Sequence, residues 1–141
     1  MGDDSFRELS TDECRAMLRP GGIGRIGVSV SALPAIFPVP FALLDNDVVV
    51  RIAPTSKLAA VLPGAVVAFE ADAMDAERAH GWSVLVVGLA ELITEEERIA
   101  AARSLPLPAW DRGDGDHFTR IPGDYISGRV YRARELPAAS A

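Results

Sequence analysis

Short apolar runs bounded by turn residues make up most of this chain, and this pattern predicts a mainly β protein. Six runs are expected to be strands: Arg25 to Val30, Ala35 to Leu44, Asp47 to Ile52, Ala65 to Ala71, Trp82 to Ile93 and Tyr125 to Leu136. The turn residues Asp45 and Asn46 predict a hairpin between the second and third strands. The polar stretch from Asp72 to Gly81 is expected to be a longer connection between the fourth and fifth.

Three segments have helical spacing instead. Ser10-Thr11-Asp12-Glu13 has the sequence of a capping box, and the helix that it opens is expected to end before Pro20. Ser56 to Leu62 predicts a second short helix. Thr94-Glu95-Glu96-Glu97 predicts a second capping box, opening a helix that runs to about Ser104. The chain is therefore expected to be one α+β domain, mainly β, with a barrel-like sheet and short peripheral helices.

The fifth predicted strand is apolar on both faces, with Trp82, Val84 and Val86 on one side and Leu85, Val87 and Leu89 on the other. The interior of one barrel can cover only one of these faces. A second subunit is expected to cover the other, so the sequence predicts a homodimer.

Composition excludes several classes of function. The 141 residues carry a net charge of −6 and their 14 basic residues form no dense cluster, so no nucleic-acid partner is expected. No apolar run reaches the roughly 18 residues of a membrane span, and the acidic start Met1-Gly2-Asp3-Asp4 is unlike a signal peptide. A cytoplasmic protein without a membrane partner is expected. The single cysteine, Cys14, cannot form an internal disulfide and is expected to be buried and without a chemical role.

Three patterns that suggest ligand binding lack the necessary context. Gly22 to Gly27 has the spacing of a dinucleotide fingerprint, but a helix precedes it and a strand follows, the reverse of what that fingerprint needs. The segment Asp111 to Asp116 is similar to a calcium loop, yet glycines replace two ligands and Pro122 stands at the twelfth position. His80 and His117 have no Cys or His at metal-ligand spacing, so no metal site is predicted.

A strand, a turn and a helix follow one another between Asp47 and Leu62. Such a junction leaves free backbone N–H groups and the positive end of the helix dipole at one point, where an anion can bind. Thr55 and Ser56 lie in the turn, and Arg51 and Lys57 flank it. The segment predicts a phosphate site, and an ordinary capped surface helix remains the alternative.

The second strand carries Pro34, Pro38 and Pro40, all at even positions. Alternate residues of a strand direct their N–H groups to the same side, so one edge of this strand is expected to lack donors and to be incompletely paired. This edge is either an ordinary protected edge strand or the wall of a cleft in which a flat ligand lies.

A series of short segments runs through the chain in a fixed order: Leu9-Ser10-Thr11-Asp12-Glu13-Cys14, Gly24-Arg25-Ile26-Gly27-Val28, Pro38-Val39-Pro40-Phe41, Arg51 with Ser56-Lys57-Leu58-Ala59, Phe69-Glu70-Ala71-Asp72 and Gly81-Trp82-Ser83-Val84. Together their order and spacing closely resemble the small actinobacterial-type members of the pyridoxamine 5'-phosphate oxidase-like, FMN-binding split-barrel proteins. The resemblance covers about residues 9 to 132. It implies a single domain over residues 1–141 that forms a six-stranded split barrel, and a homodimer with two FMN sites at its interface.

The resemblance also implies FMN contacts on three segments: Arg51, Ser56 and Lys57 at the phosphate, Val39, Pro40 and Phe41 beside the isoalloxazine ring, and Trp82 and Ser83 from the other subunit. The family commonly has Asn-Tyr where this chain has Pro40-Phe41, and often Thr at Ile52, which is assigned to the same site. Both differences remove hydrogen-bonding groups, so weaker FMN binding or another ligand remains an alternative.

The expected function is an FMN-binding flavoprotein, an oxidoreductase acting on an unidentified small molecule, in which the flavin carries the chemistry and no catalytic side chain is named. One alternative is a deazaflavin-dependent reductase, although its longer acidic tail would need a broader basic groove than Arg51 and Lys57 provide. The other is a non-catalytic flavin- or haem-binding protein with His80 or His117 as haem ligand. Both histidines are, however, expected to be solvated loop residues.

Overall fold

The computed structural model describes residues 6–107 and 117–132. Within these ranges the elements follow one another as β1 (Phe6–Glu8), α1 (Thr11–Leu18), β2 (Gly22–Val30), β3 (Leu33–Leu44), β4 (Asp47–Arg51), α2 (Lys57–Val61), β5 (Val66–Asp75), β6 (His80–Leu89), β7 (Glu91–Leu92), α3 (Glu96–Arg103), β8 (Phe118–Ile121) and β9 (Tyr125–Tyr131). The expected mainly β fold with few helices is confirmed.

All nine strands of the described ranges belong to one antiparallel sheet, in the order β1-β9-β6-β5-β2-β3-β4-β8-β7. A single residue, Ala90, joins β6 to β7, although β7 lies at the far end of that order. The sheet must therefore curl until β8, which pairs with β7, approaches β6. At this junction a Cβ on Gly88 would lie 3.1 Å from the carbonyl oxygen of Pro122.

The strand count exceeds the six that the sequence pattern predicts. β1 and β8 are additional, and the single strand expected from Trp82 to Ile93 is interrupted at Ala90. The interruption has a clear cause, because Ala90 forms backbone hydrogen bonds on both sides with the segment after α2. Its N–H donates to the Ala65 carbonyl at 2.8 Å, and its carbonyl accepts from the Gly64 N–H at 2.8 Å.

The long polar connection expected between Asp72 and Gly81 is wrong. β5 continues to Asp75 and β6 already begins at His80, so the connection is a tight turn. The Asp75 carboxylate holds this turn by accepting the backbone N–H groups of Glu77 and Arg78, both at 3.1 Å. The polar residues of this stretch therefore belong to the ends of two paired strands and to the tight turn between them.

The two predicted capping boxes have different outcomes. At α1 the box is confirmed, because Ser10 Oγ accepts the Glu13 N–H at 3.2 Å and Glu13 Oε1 accepts the Ser10 N–H at 3.0 Å. Arg7 also bonds to Glu13 and, with Ser10, lowers its pKa to about 2. The box at Thr94 is wrong, since α3 has Glu95 as its N-cap and no side-chain cap. The last strand ends at Tyr131, and residues 133–136 of its predicted length lie outside the described ranges.

Two apolar cores hold the fold together. The main core fills the curled sheet and includes Ile26, Phe69 and Val84. A second, smaller core lies between α3 and the outer side of β4 and β8. Cys14 is fully buried against Gly128, as predicted, and burial raises the pKa of its thiol. No helix of the described ranges is long and apolar enough to cross a membrane.

Candidate functional site

β3 has a neighbour on both sides over only part of its length. It pairs with β2 from Leu33 to Phe41, whereas it pairs with β4 only from Phe41 to Leu44. The segment 33–40 therefore has one edge without a strand partner among the described residues. This confirms the incompletely paired edge that the three prolines predict.

The chemistry of this free edge follows from the two hairpin turns that flank β3. A two-residue turn joins Val30 to Leu33, so Leu33 and the other odd residues of β3 direct their backbone N–H and C=O groups toward β2. Another two-residue turn joins Leu44 to Asp47, so the even residues of β3 direct theirs toward the β4 side. Beyond the end of β4, the even residues are the three prolines and Ile36. The free edge thus presents a row of carbonyl oxygens and a single N–H donor.

Two side chains of the segment predicted to lie beside the ring, those of Val39 and Phe41, face the interior. Val39 and Phe41 belong to the main core, where the Phe41 ring packs edge-on against Phe69 with their centroids 4.9 Å apart. Pro40 is also buried. A ligand lying along this edge would therefore meet backbone groups of β3, and the Val39 and Phe41 side chains would contribute only by fixing the strand.

The turn between β4 and α2 brings four of the predicted residues together. Ser56 is the N-cap of α2: its Oγ accepts the Ala59 N–H at 3.2 Å and donates to the Ala53 carbonyl at 2.8 Å. Lys57 is exposed and opens the helix, and Arg51 ends β4. Ile52 is buried in the main core. The Ser56 hydroxyl is thus already used in capping, which leaves the two cations and the free N–H groups of the first turn for an anion.

Arg51 and Lys57 share an electrostatic property: within the described ranges, neither forms an ion pair with a carboxylate. Arg51 lies over the Phe118 ring, with its guanidinium carbon 6.0 Å from the ring centroid. Lys57 is the only lysine among the 141 residues. Two uncompensated cations beside a helix start, in a chain of net charge −6, favour an anionic ligand.

His117 is a neighbour of this turn that the sequence analysis did not place there. Its carbonyl accepts the Ile52 N–H at 3.0 Å. The side chain is half-buried, and its buried Nδ1 has no hydrogen-bond partner among the described residues, so the expectation of a solvated loop histidine is wrong here. The sequence around His117 carries no local signal for this position, because only the pairing of Arg51 with Phe118 brings His117 to Ile52.

His80 is exposed as expected but begins a strand. The described residues contain no cluster of three metal-ligating side chains, and Asp111 to Asp116 lies outside them.

Trp82 and Ser83 lie elsewhere in the same chain. β5 and β2 separate their strand from β3 in the sheet. Ser83 faces outward, where its hydroxyl is 3.2 Å from the Tyr131 hydroxyl. Trp82 lies on the opposite side of β6 and packs partly against the main core. One chain therefore does not bring these two residues to the Arg51–Lys57 turn.

The outer face of five strands forms a continuous surface. Cross-strand partners share a face, so two rows can be followed from β3 to β9: Ile36, Gly27, Ala68, Val87 and Tyr125, and beside it Pro38, Arg25, Glu70, Leu85 and Ser127. Ile36 is 73% exposed, Leu85 40% and Tyr125 74%. These two rows are called the outer face below. Alternation along the sequence predicts only the β6 part of this face, because the contribution of Ile36 and Tyr125 depends on the register that aligns them with β6.

One ion cluster interrupts the apolar character of the outer face. Arg25 Nη1 is 2.7 Å from Glu70 Oε1 and 3.4 Å from Asp72 Oδ2. Partial burial and the neighbouring Asp72 raise the pKa of Glu70, although Arg25 opposes this shift. The cluster links β2 to β5 at the middle of the face.

Comparisons with known proteins agree with one another. The family model for pyridoxamine 5'-phosphate oxidase matches residues 10–130. An uncharacterised protein of Mycobacterium tuberculosis, Rv0080, is 35% identical over 126 residues, which cover 86% of this chain and 82% of that one. The structure of the FAD binding protein from Mycobacterium smegmatis is 32% identical, with a TM-score of 0.77, covering 89% of this chain and 98% of that one. A candidate pyridoxamine 5'-phosphate oxidase from Corynebacterium glutamicum is 29% identical, with a TM-score of 0.80, covering 96% and 100%.

Proposed function

Because the chain belongs to the pyridoxamine 5'-phosphate oxidase family, we propose that it is a homodimeric flavoprotein that holds FMN or a related flavin nucleotide between the free edge of β3 and the start of α2. The observation that carries this proposal is the pair of uncompensated cations, Arg51 and Lys57, beside that edge. The FAD binding protein of M. smegmatis, at 32% identity, supports a flavin as the ligand.

The residues present suit a flavin nucleotide in two respects. Arg51 and Lys57, with the free N–H groups at the start of α2, offer positive charge and donors to a phosphate. The carbonyl row of the β3 edge offers acceptors to the donor groups of a flat polar ring. When bound, the flavin would supply hydride or electron transfer to a small organic molecule. The protein's own part is to hold the phosphate, align the ring and exclude water with the core behind Val39 and Phe41.

The outer face supports a homodimer. Its first row has small residues, Gly27 and Ala68, at the centre and the large side chains of Ile36 and Tyr125 at the ends. A second copy related by a two-fold axis can place large side chains over small ones, as an isologous interface requires. Ser83 lies on this side of β6 and would then face the partner.

A direct test uses the single lysine. Acetylation of the folded protein with an amine-reactive ester can modify only Lys57 and the terminal amino group, which serves as an internal control. We expect FMN and FAD to protect Lys57 while the terminus stays reactive. Riboflavin, which has no phosphate, should give no protection. Equal reactivity of Lys57 with and without FMN and FAD would contradict the proposed phosphate site.

Affinity measurements sharpen this test. Lys57→Ala is expected to weaken FMN binding by about 1.5–3 kcal/mol, the range for a charge-assisted hydrogen bond, and to leave riboflavin almost unchanged. Lys57→Arg is the matched variant, because it keeps the charge and should retain most of the affinity. Equal losses for FMN and riboflavin would mean that Lys57 only stabilises a surface helix. Free reduced FMN also transfers electrons to menadione, so anaerobic reoxidation of the photoreduced, flavin-loaded protein supports an oxidoreductase only if it is faster than that of free reduced FMN, and a slower rate supports a storage protein.

A further inference from the structure

A cavity lies away from the β3 edge, between the end of α1, the β5–β6 hairpin and the end of β9. Its volume is about 660 Å³. Pockets for small ligands typically measure roughly 300–1,000 Å³, so this cavity is large enough for one. It is called the end cavity below.

The walls of the end cavity are mainly apolar. Met17 comes from α1, Met74 from β5, Trp82 from β6 and Val130 from β9. Met74 lies against Gly81, and a methyl group at Gly81 would overlap both the Met74 sulfur and the Ala73 carbonyl. Two thioethers and an indole form an adaptable, polarisable surface that suits an aromatic or long aliphatic body.

The charged side chains of the end cavity are two arginines and one carboxylate. Arg78, Arg132 and Asp75 line it together with His80. That carboxylate is already engaged, since it accepts two N–H groups of its own turn and its Oδ2 is 3.7 Å from Arg78 Nε. Arg132 is exposed and forms no ion pair with a carboxylate of the described residues. An anion that binds Arg132 would therefore displace no carboxylate of the described residues.

We propose that the end cavity binds a small amphipathic acid, with its apolar body against Met17, Met74 and Trp82 and its carboxylate at Arg132. We infer an amphipathic acid because the apolar walls favour burial of an apolar group, and the Arg132 guanidinium favours a carboxylate next to it. The proposal goes beyond the proposed function and does not require a bound flavin.

The test uses Trp82 as a reporter inside the site. The chain has only two tryptophans, Trp82 and Trp110, so Trp110→Phe leaves Trp82 as the single emitter. We expect 4-phenylbutyrate to change this emission in a saturable manner, while 4-phenylbutanol, which has the same body without the carboxylate, binds much more weakly. Arg132→Gln should weaken the acid about tenfold or more, as expected for loss of a charge-assisted hydrogen bond.

Three variants complete the experiment. Arg129→Gln on the same strand is the matched control, because Arg129 lies over the Phe6 ring and does not line the end cavity; it should change nothing. Met74→Glu places a carboxylate in the wall and should abolish acid binding, whereas Met74→Gln should retain it. Met74 is 56% exposed, so neither change places a polar group inside the main core.

The outcomes separate the two proposals. Equal binding of acid and alcohol, no saturation with either, or an Arg132→Gln variant that binds like wild type would each overturn the end-cavity site. Loss of acid binding in Lys57→Ala but not in Arg132→Gln would place the acid at α2 and also overturn it. If FMN and FAD fail to bind while the acid result holds, the proposed flavin function fails and the end cavity stands.

Discussion

The outer surface of the curled sheet differs between two regions: α3 covers it over β4 and β8, whereas the outer face of the other five strands is exposed. Over β4 and β8 the chain covers its own sheet: α3 packs on Val49 and Phe118 and completes a small second core. Over β3, β2, β5, β6 and β9 the described residues provide no such cover, and Ile36, Leu85 and Tyr125 are exposed. Among the described residues, a helix covers only one of the two apolar outer surfaces, the one over β4 and β8.

The same contrast appears in two arginines that each lie between two carboxylates. Arg120 joins Asp47 at 2.6 Å and Glu91 at 3.0 Å on the covered side, and its side chain is 26% exposed. Arg25 joins Glu70 and Asp72 on the outer face and is 51% exposed. Arg120 is thus partly shielded from water where α3 lies nearby, whereas Arg25 is more exposed to water because nothing among the described residues covers it.

The largest expected effect is on the covered side. Phe118→Ala should lower the free energy of unfolding by about 3–5 kcal/mol, because it removes a fully buried ring from the second core. Tyr125→Ala on the outer face removes a ring of similar size. In a monomer it should cost no more than about 0.5 kcal/mol, as for other surface changes. Chemical denaturation at two protein concentrations measures both.

Concentration makes this comparison informative. The Phe118→Ala loss should not depend on protein concentration, whereas the Tyr125→Ala loss should grow with it if a partner covers the outer face. A small loss for Phe118→Ala would contradict the second core.

A somewhat smaller effect is expected on association. Leu85→Glu places a charge in the centre of the outer face and should weaken dimerisation by about 2 kcal/mol or more, the loss seen at interface hot spots. Light scattering at micromolar concentration should then report a single chain where wild type gives two.

The control for this change is Ala100→Glu, which adds the same charge on the exposed side of α3 and should leave the mass unchanged. A wild-type protein that is already monomeric at this concentration would refute the dimer.

The smallest effect concerns pH. The pKa of Glu70 is raised above the ordinary value of 4.5, so the folded protein binds this proton more readily than the unfolded chain does. The stability that Glu70 contributes is therefore present in full below about pH 4.5 and is lost as the pH rises through its folded pKa. Relative to Glu70→Gln, wild type should lose stability as the pH rises through that range, as measured by denaturation between pH 4 and pH 7. A difference with the opposite slope would contradict the burial of this carboxyl.

The sequence predicted the features whose signals are local. The capping box at Ser10 and the Asp45-Asn46 turn each specify their own geometry within a few residues, and the prolines of β3 specify a free edge because they lack a donor. The family also followed from ordered local segments. These signals survive folding because no distant contact competes with them.

What the sequence did not predict depends on distant partners. Ala90 interrupts a uniformly apolar run only because Ala65 and Gly64 bond to it. Phe118 to Ile121 forms a strand because β4 offers an edge to it. The same holds for the candidate site. Alternation along β3 does not reveal that the Val39 and Phe41 side chains face the core, or that the backbone groups of the free edge are what a ligand would contact.

The pairing of β4 with β8 has a consequence for biosynthesis. β4 is complete once Arg51 has been synthesised, but β8 begins only at Phe118. At about 5–20 residues per second, a ribosome needs on the order of several seconds to make the intervening chain. During that time Val48, Val49 and Val50 form an apolar strand with an open edge on the nascent polypeptide, which is the kind of segment that aggregates or recruits a chaperone.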